Sequence, residues 1–585
     1  MKWTATRPGL PGGQAQALAA VTLARRLQRL ARTAALLALG LVGAAGCAVE
    51  DDVGEPGPFG LTLHALTDSC GGVSGANPLA EVQSYTFVVR NEAGKTVLNK
   101  TASKSGATLT ISEVPAGSGQ ELSLVGLVNG KPKWFGRRSG QKIVKNTTTV
   151  FDMTMMAVEA FTCIAPESGA AVNVLFPAVT PIGKGQVLIT GGFGVATNNG
   201  AKLELTSAQD TAWIFDVDTG VLRELKDKAR MKSARAGHNA MFLPKSNRVL
   251  IVGGAQKMVV DTAVPGPPSW TPTNGVNLPY EIFDVETETF VAPTSTEFAI
   301  KRVFPNLMAL SDDYVVALGG AAWPASSVTD PTTYMNSNLY DPNIGDYGAF
   351  VKVGSALPLN TVRAGAAIAT LGSTPDGGTK VLVWGGDNGS QRAEVFIEST
   401  DAGNGIFDGS YVVSGDITSF PGGLTFSSLT PIGKGKVEGK EMIQFLSVGG
   451  IRHDAGKWQP PNKDDVYIVS VDEDARKILT QRVPGLDVGV YLHQANRTNA
   501  DHVVISGGFS EFGAPASFTL RTFDVSTRTF TNPEGGTSFV KRGGHSALTL
   551  ANECLLMFGG VSAFDDLLKS QPAASDIYCP NHLLP

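Results

Sequence analysis

From Phe176 onward the chain alternates between unbroken apolar runs and polar, turn-rich stretches, and seven of those runs end in Gly-Gly. They read VLITGG to Gly192, VLIVGG to Gly254, VVALGG to Gly320, VLVWGG to Gly386, FLSVGG to Gly450, VVISGG to Gly508 and LLMFGG to Gly560. The first glycines fall at 191, 253, 319, 385, 449, 507 and 559, so the period runs from 52 to 66 residues. Continuous Val/Ile/Leu runs of this length predict strands buried on both faces, because a strand with one wet face would alternate. A glycine pair lets such a strand end with positive φ and lets backbones pass closely. Two companion signals keep the same period. Arginine-led segments precede several runs: RAGHNA from Arg235, RVFPN from Arg302, RAGAA from Arg363 and RGGHSA from Arg542. An aromatic-Asp turn follows several: WIFDVDTG (Trp213–Gly220), EIFDVETE (Glu281–Glu288), NLYDPNIG (Asn338–Gly345) and TFDVSTRTF (Thr522–Phe530). Asp before Thr or Gly folds back on its own backbone and turns the chain into a further strand.

Arginine segment, apolar strand with Gly-Gly, aromatic-Asp turn and last strand together resemble the kelch repeat, over about 410 residues. The family's fourth-strand Trp is replaced here, with Val221-Leu222, Phe290 and Phe530 in its neighbourhood. The resemblance implies an all-β fold, a seven-bladed kelch-type β-propeller over residues 164–585, preceded by a small β-sandwich. The last repeat offers three strands, HSALTL, CLLMFGG and SDIYC, so Val158–Ala165 (VEAFTCIA) is expected to supply its fourth and close the ring. The hexapeptide TPIGKG occurs at Thr180–Gly185 and again at Thr430–Gly435, each time ahead of a second strand. It is expected to be the tight turn between the first two strands of repeats one and five. A phosphate loop would need Ser or Thr after the Lys and a helix to follow.

Residues 60–163 read as the sandwich: an alternating strand at Leu61–Leu66, a hairpin over Tyr85–Asn99, and a second over Glu121–Gly136 turning at Asn129-Gly130. Its VPAGSG corner (Val114–Gly119) resembles bacterial immunoglobulin-like or transthyretin-like modules. Residues 47–59, acidic with Pro and Gly, read as a flexible spacer.

Residues 1–46 read as a leader. Six basic residues and no acid precede Glu50, and the apolar run Thr33–Gly46 is too short to span a bilayer. Ala44-Ala45-Gly46-Cys47 resembles a bacterial lipobox, which implies diacylglycerol on Cys47. An outer-membrane lipoprotein is expected, since Ala48 stands where an inner-membrane retention Asp would be. Removing the leader's six basic residues takes the net charge from −5 to −11. An exterior that acidic disfavours nucleic acid and anionic lipid, so the membrane is expected to be met through the lipid alone, by a monomer. No cofactor or metal spacing is visible.

Four cysteines remain after Cys47. Cys554 opens a second strand and Cys579 ends the neighbouring third, so the two are expected to bridge, leaving Cys70 with Cys163. The rival pairing is Cys163–Cys579.

In an up-and-down sheet the loops between strands two and three share one end with the entries to strand one. That end is expected to gather Arg235, His238, Arg302, Arg363, Arg542 and His545 with three loop tryptophans, Trp270, Trp323 and Trp458. Arg and Trp are the types enriched at binding hot spots, and Trp also stacks on sugars. The expected function is therefore a non-enzymatic module binding a protein or glycan of the envelope. The alternative is a carbohydrate-active propeller enzyme, sialic-acid mutarotase-like or oxidase-like, working in the central channel.

Overall fold

The computed structural model describes residues 54–65, 78–103, 108–145, 147–166, 172–194, 196–198, 202–261, 269–274, 278–293, 302–320, 338–351, 363, 365–375, 377–386, 393–398, 407–413, 424–454, 457–512, 515–516, 520–532, 541–562 and 575–585. The leader, Cys47, Cys70 and Trp323 lie outside them. The described chain is all-β, built from many small sheets. Among the described residues no helix is long and apolar enough to cross a membrane.

Six strands form the amino-terminal sheet: β1 (Gly54–Ala65), β2 (Ser84–Arg90), β3 (Thr96–Ser103), β4 (Thr108–Val128), β5 (Lys131–Ile143) and β6 (Thr149–Ala157). Their order is β1-β6-β5-β4-β2-β3. β4 serves two sets of partners along its length. Its first half pairs with β1, and its second half lies between β2 and β5. β1 thus meets both β4 and β6, and the sheet wraps a core of Leu61, Phe87, Val89, Leu122, Leu124 and Trp134. Asn129 and Gly130 turn the β4–β5 hairpin with φ of 51° and 75°, the left-handed pair that a two-residue loop requires. The expected spacer is shorter than its composition implied. β1 begins at Gly54 and pairs there with Ala116, satisfying β4 backbone that would otherwise form an open edge.

Seven four-stranded antiparallel sheets share one plan, each with its first strand beside the second, the second beside the third and the third beside the fourth. First strands are Ala178–Gly183, Ala236–Leu243, Asn306–Ala309, Ala367–Ser373, Ser428–Val437, Gln494–Arg497 and Ser546–Thr549 for repeats one to seven. These strands are neighbours in chain order, and that of repeat seven lies again beside that of repeat one. The fourth strand of repeat seven is β7 (Phe161–Ile164), paired with Ser575–Tyr578, so the segment ahead of repeat one completes the last sheet.

The glycine doublets join one repeat to the next. The second glycine donates its N–H to the residue entering the following repeat's first strand: Gly192 to Arg235, Gly254 to Arg302, Gly320 to Arg363, Gly386 to Leu424, Gly450 to Val490 and Gly508 to Arg542, with Gly560 returning to Val174. These bonds span 2.7 to 3.0 Å. The first glycine passes so near the same carbonyl that a Cβ on Gly385 would lie 2.1 Å from the Leu424 oxygen. Close approach, as much as positive φ, excludes any side chain there.

The TPIGKG copies prove to be strand ends more than turns. Both carry a bulge between the proline and the following glycine. The turn itself is Lys184-Gly185 in the first copy, but Glu438-Gly439, beyond the hexapeptide, in the second. What both copies share is a threonine reaching the next repeat's first strand: Thr180 Oγ1 donates to the Ala240 carbonyl at 3.4 Å, and Thr430 Oγ1 to Ala495 at 3.2 Å. Asn239, Asn306, Asn496 and Ser546 make the same step, to Pro305, Ala366, Ala547 and Pro177. Each such bond contributes about 1 kcal/mol net.

Cys554 and Cys579 are bridged, with Cα atoms 4.5 Å apart and both residues fully buried. That excludes Cys163–Cys579. Cys163 is also disulfide-bonded, and its partner lies outside the described residues, where Cys70 falls. Replacing Cys554 and Cys579 by Ser is expected to cost about 3 kcal/mol, since the bridge closes a loop of 25 residues in the unfolded chain. Denaturant midpoints under non-reducing conditions measure it; a change under 1 kcal/mol would contradict the expectation.

Candidate binding face

The arginines expected on an open face are interior. Arg235, Arg302, Arg363 and Arg542 are at most 3% exposed, and each clamps its own repeat. Each Nη1 donates to the carbonyl of the first glycine of that repeat's doublet: Arg235 to Gly253 at 3.0 Å, Arg302 to Gly319 at 3.1 Å, Arg363 to Gly385 at 2.5 Å and Arg542 to Gly559 at 3.0 Å. The guanidinium then meets the first or second residue of the third strand. Arg235 pairs with Glu281 at 2.6 Å, Arg363 with Glu394 at 2.8 Å, Arg542 with Asp576, and Arg302 with the Asn338 amide oxygen at 2.8 Å. An extended strand entry cannot satisfy the carbonyl of a left-handed glycine, and the planar fork does it while neutralising a buried acid in three of the four repeats.

His238 and His545 are buried as well. His238 Nε2 lies 2.8 Å from Thr190 Oγ1, and His545 Nε2 lies 3.0 Å from Ser506 Oγ, each reaching the preceding repeat. His493 does the same with Ser428 at 2.9 Å. Burial pulls His238 and His493 down to about 3, and His545 well below its usual value, with the Arg235 and Arg542 charges acting in the same direction on His238 and His545. All three are neutral at pH 7 and serve as interior pins.

The doublet end holds a feature the motifs did not announce. Two residues past each strand-one entry, φ is positive at Phe176, Gly237, Phe304, Gly365, Phe426, Leu492 and Gly544. Backbone bonds link these across repeats: Gly237 to Phe176, Phe304 to Gly237, Phe426 to Gly365, Gly544 to Leu492 and Phe176 to Gly544. Phe176, Phe304 and Phe426 come from repeats one, three and five, yet their rings meet, with centroids 4.9 Å (176–304) and 5.9 Å (304–426) apart. The intervening glycines give them room, for a Cβ on Gly365 would lie 2.9 Å from the Phe426 ring. Leu492, Val303, Leu175 and Tyr491 complete an apolar plug. The signal was present in Leu175-Phe176-Pro177 and Val303-Phe304-Pro305, but only alignment of the repeats exposes it.

Two of the three tryptophans fall on described backbone. The loops between strands two and three of repeats one and two build an accessory four-stranded sheet: Ala196–Asn198, Lys202–Leu205, Lys257–Asp261 and Ser269–Asn274. Trp270 is in its last strand, opposite Val260. Leu205 and Met258 anchor that sheet to the plug. In repeat five the same loop is a two-stranded ribbon, Arg452–Asp454 with Lys457–Gln459, which pairs Trp458 with His453. Trp323, the third, lies outside the described residues. Among the described residues no group of three or more His, Cys, Asp or Glu is placed to hold a metal ion.

No family model and no curated protein matches the chain. Among solved structures, a fungal alcohol oxidase of the AA5 family in complex with copper is similar at 12% identity and a TM-score of 0.47, over 72% of this chain and 76% of that one. RAG in complex with one melted and one unmelted RSS is similar at 15% identity and a TM-score of 0.31, over 47% and 82%. Neither likeness is close enough to carry an argument about activity.

Proposed function

We propose that the chain is an envelope-anchored lipoprotein whose seven sheets are the blades of a kelch-type propeller, and that it binds a protein or glycan through the loops of its doublet end. The observation that carries the reading is the plug. Where the seven repeats converge, Phe176, Phe304, Phe426 and Leu492 fill the space in which an axial enzyme would hold its substrate at that end. Contact between aromatic rings from repeats one, three and five supports repeats arranged about a common axis, as in a propeller. So does the chain of glycine bonds that returns from Gly560 to Val174. With the arginines and histidines committed to the interior, recognition falls to the loops carrying Trp270, Trp323 and Trp458. Export, lipid on Cys47 and an outer-membrane address rest on the leader.

The test uses the chain from residue 48 as bait for envelope extract and for a glycan array. Changing Trp270, Trp323 and Trp458 together to Ala is expected to lower retention at least tenfold, with the circular dichroism unchanged. Turnover of a sugar with nothing retained by the bait would favour the carbohydrate-active alternative instead.

A further inference from the structure

The amino-terminal sheet rests on one place. Arg137, only 7% exposed, pairs with Glu553, donates to the Leu583 carbonyl at 2.6 Å and meets Ser123 Oγ at 3.3 Å. Arg138 pairs with Asp218 at 2.7 Å, and Thr154 Oγ1 donates to the Asp218 carbonyl at 2.7 Å. Between these polar contacts Val125, Phe135 and Met156 pack with Val187, Trp213, Leu556 and Cys579 in one buried cluster. Glu553 is in the turn between the first two strands of repeat seven, and Asp218 in the turn between the last two strands of repeat one. Both turns are at the end opposite the glycine doublets, on either side of the seam where the last repeat meets the first.

β1 adds a direction. It runs parallel to β6, from Phe59 beside Thr149 to Ala65 beside Met155, and Met156 is the residue that packs on the repeats. The Ala65 end of β1 is therefore near the repeats and its Gly54 end is remote, by roughly 35 Å at about 3.3 Å per residue. We propose that the amino-terminal sheet is a rigid stalk, clamped across the first–last seam, which points the doublet end away from the site where the amino terminus is attached. The attachment half of this inference rests on the lipoprotein reading. From Cys47 to Gly54 the chain can reach at most about 25 Å, so a lipid on Cys47 would set the stalk beside the bilayer. The tryptophan loops would then face partners approaching from beyond that membrane and not its own lipid surface. The buried Arg137 suits the clamp: its fork satisfies a carboxylate, a carbonyl and a hydroxyl on both sides of the joint.

Paired spin labels at Lys95→Cys and Glu438→Cys, both exposed in the native chain, read the joint directly. In the chain from residue 48 a single narrow distance distribution is expected, broadened when Arg137 and Arg138 are both changed to Ala. A broad distribution without those changes would overturn the clamp, whether or not the variant folds. On vesicles carrying the lipidated protein, a dye at Glu511→Cys is expected to lie farther from a bilayer acceptor than one at Glu438→Cys; the reverse order overturns the orientation. An unmodified Cys47 peptide in the mass spectrum of membrane-extracted protein would remove the attachment half, and a narrow distribution would still uphold the clamp.

Discussion

Changing Arg235 to Ala is expected to destabilise the repeat region by about 3 to 5 kcal/mol, the range for removing one member of a buried ion pair. Glu281 is fully buried and would keep only the Lys232 and Ser233 amides, at 2.7 and 2.9 Å, for its charge. The Gly253 and Pro279 carbonyls would lose their donor too. Arg363→Ala is expected to cost as much, since Glu394 is equally buried. Arg235→Lys keeps the charge but offers a point donor for a fork, and should recover only part of the loss. Removing both charges, as Arg235→Met with Glu281→Leu, should cost less than Arg235→Ala alone, because no unpaired ion is left in the interior. Denaturant midpoints, with hydrogen exchange over Arg248–Ala255, measure all four. Unchanged stability with lost partner binding would return Arg235 to the surface role its composition suggested.

That role was a reasonable misreading. The sequence states that Arg235, Arg302, Arg363 and Arg542 open strands, and strand entries are normally wet. What it also states, less visibly, is a pairing inside each repeat. Glu281 and Asn338 stand first, and Glu394 and Asp576 second, in the third strand of the same four repeats, each opposite the residue two before the doublet. Where the entry is Val174 the position in that register is Trp213, and where it is Val490 it is Arg521, which pairs with Asp487 instead. In repeat five, entered by Leu424, Asp465 just ahead of the third strand is served by Arg452 at 3.2 Å. Arg235, Arg363 and Arg542 meet a countercharge, as buried ions require, while Arg302 is met by the Asn338 amide and the Ala317 and Gly319 carbonyls.

The sheets themselves were legible, because a run buried on both faces leaves an unmistakable apolar string and because the doublet tolerates no other residue. The missing fourth strand of repeat seven could be counted. The accessory sheet could not be: Lys202–Leu205 and Lys257–Asp261 are four and five residues long, and their pairing crosses from one repeat's loop to the next. Local pattern carries no record of such a partner. The TPIGKG repeat shows the reverse error. Identity of sequence suggested identity of turn, yet the conserved physical duty belongs to its threonine and its bulge, and the turn moves four residues along in the second copy.

Acid is expected to destabilise this chain as the pH falls below about 6.5, above the usual carboxylate range. His238 and His493 have folded pKa values near 3, against about 6.5 when unfolded, so below pH 6.5 the unfolded chain takes up protons that the folded one refuses. A depressed value on a base means stability present above 6.5 and lost progressively as pH falls toward 3. At pH 5 each of the two contributes a loss on the order of 2 kcal/mol, and His545 acts in the same sense. His582, stacked on His502 with ring centroids 3.8 Å apart and also pulled down to about 3, adds a smaller share because it is less buried. Asp524, held down to about 2 by Ser526 and Thr527, works at lower pH and does not offset these terms. Unfolding free energy measured from pH 7.5 to 5 should therefore drop by about 4 kcal/mol. His238→Gln and His493→Gln, which keep a polar group near Thr190 and Ser428 without a titrating one, should each flatten that slope even if they lower stability at pH 7.5. A curve flat to pH 5 would mean that water or a counter-charge reaches the imidazoles, and that the interior of the doublet end is open where its packing says it is closed.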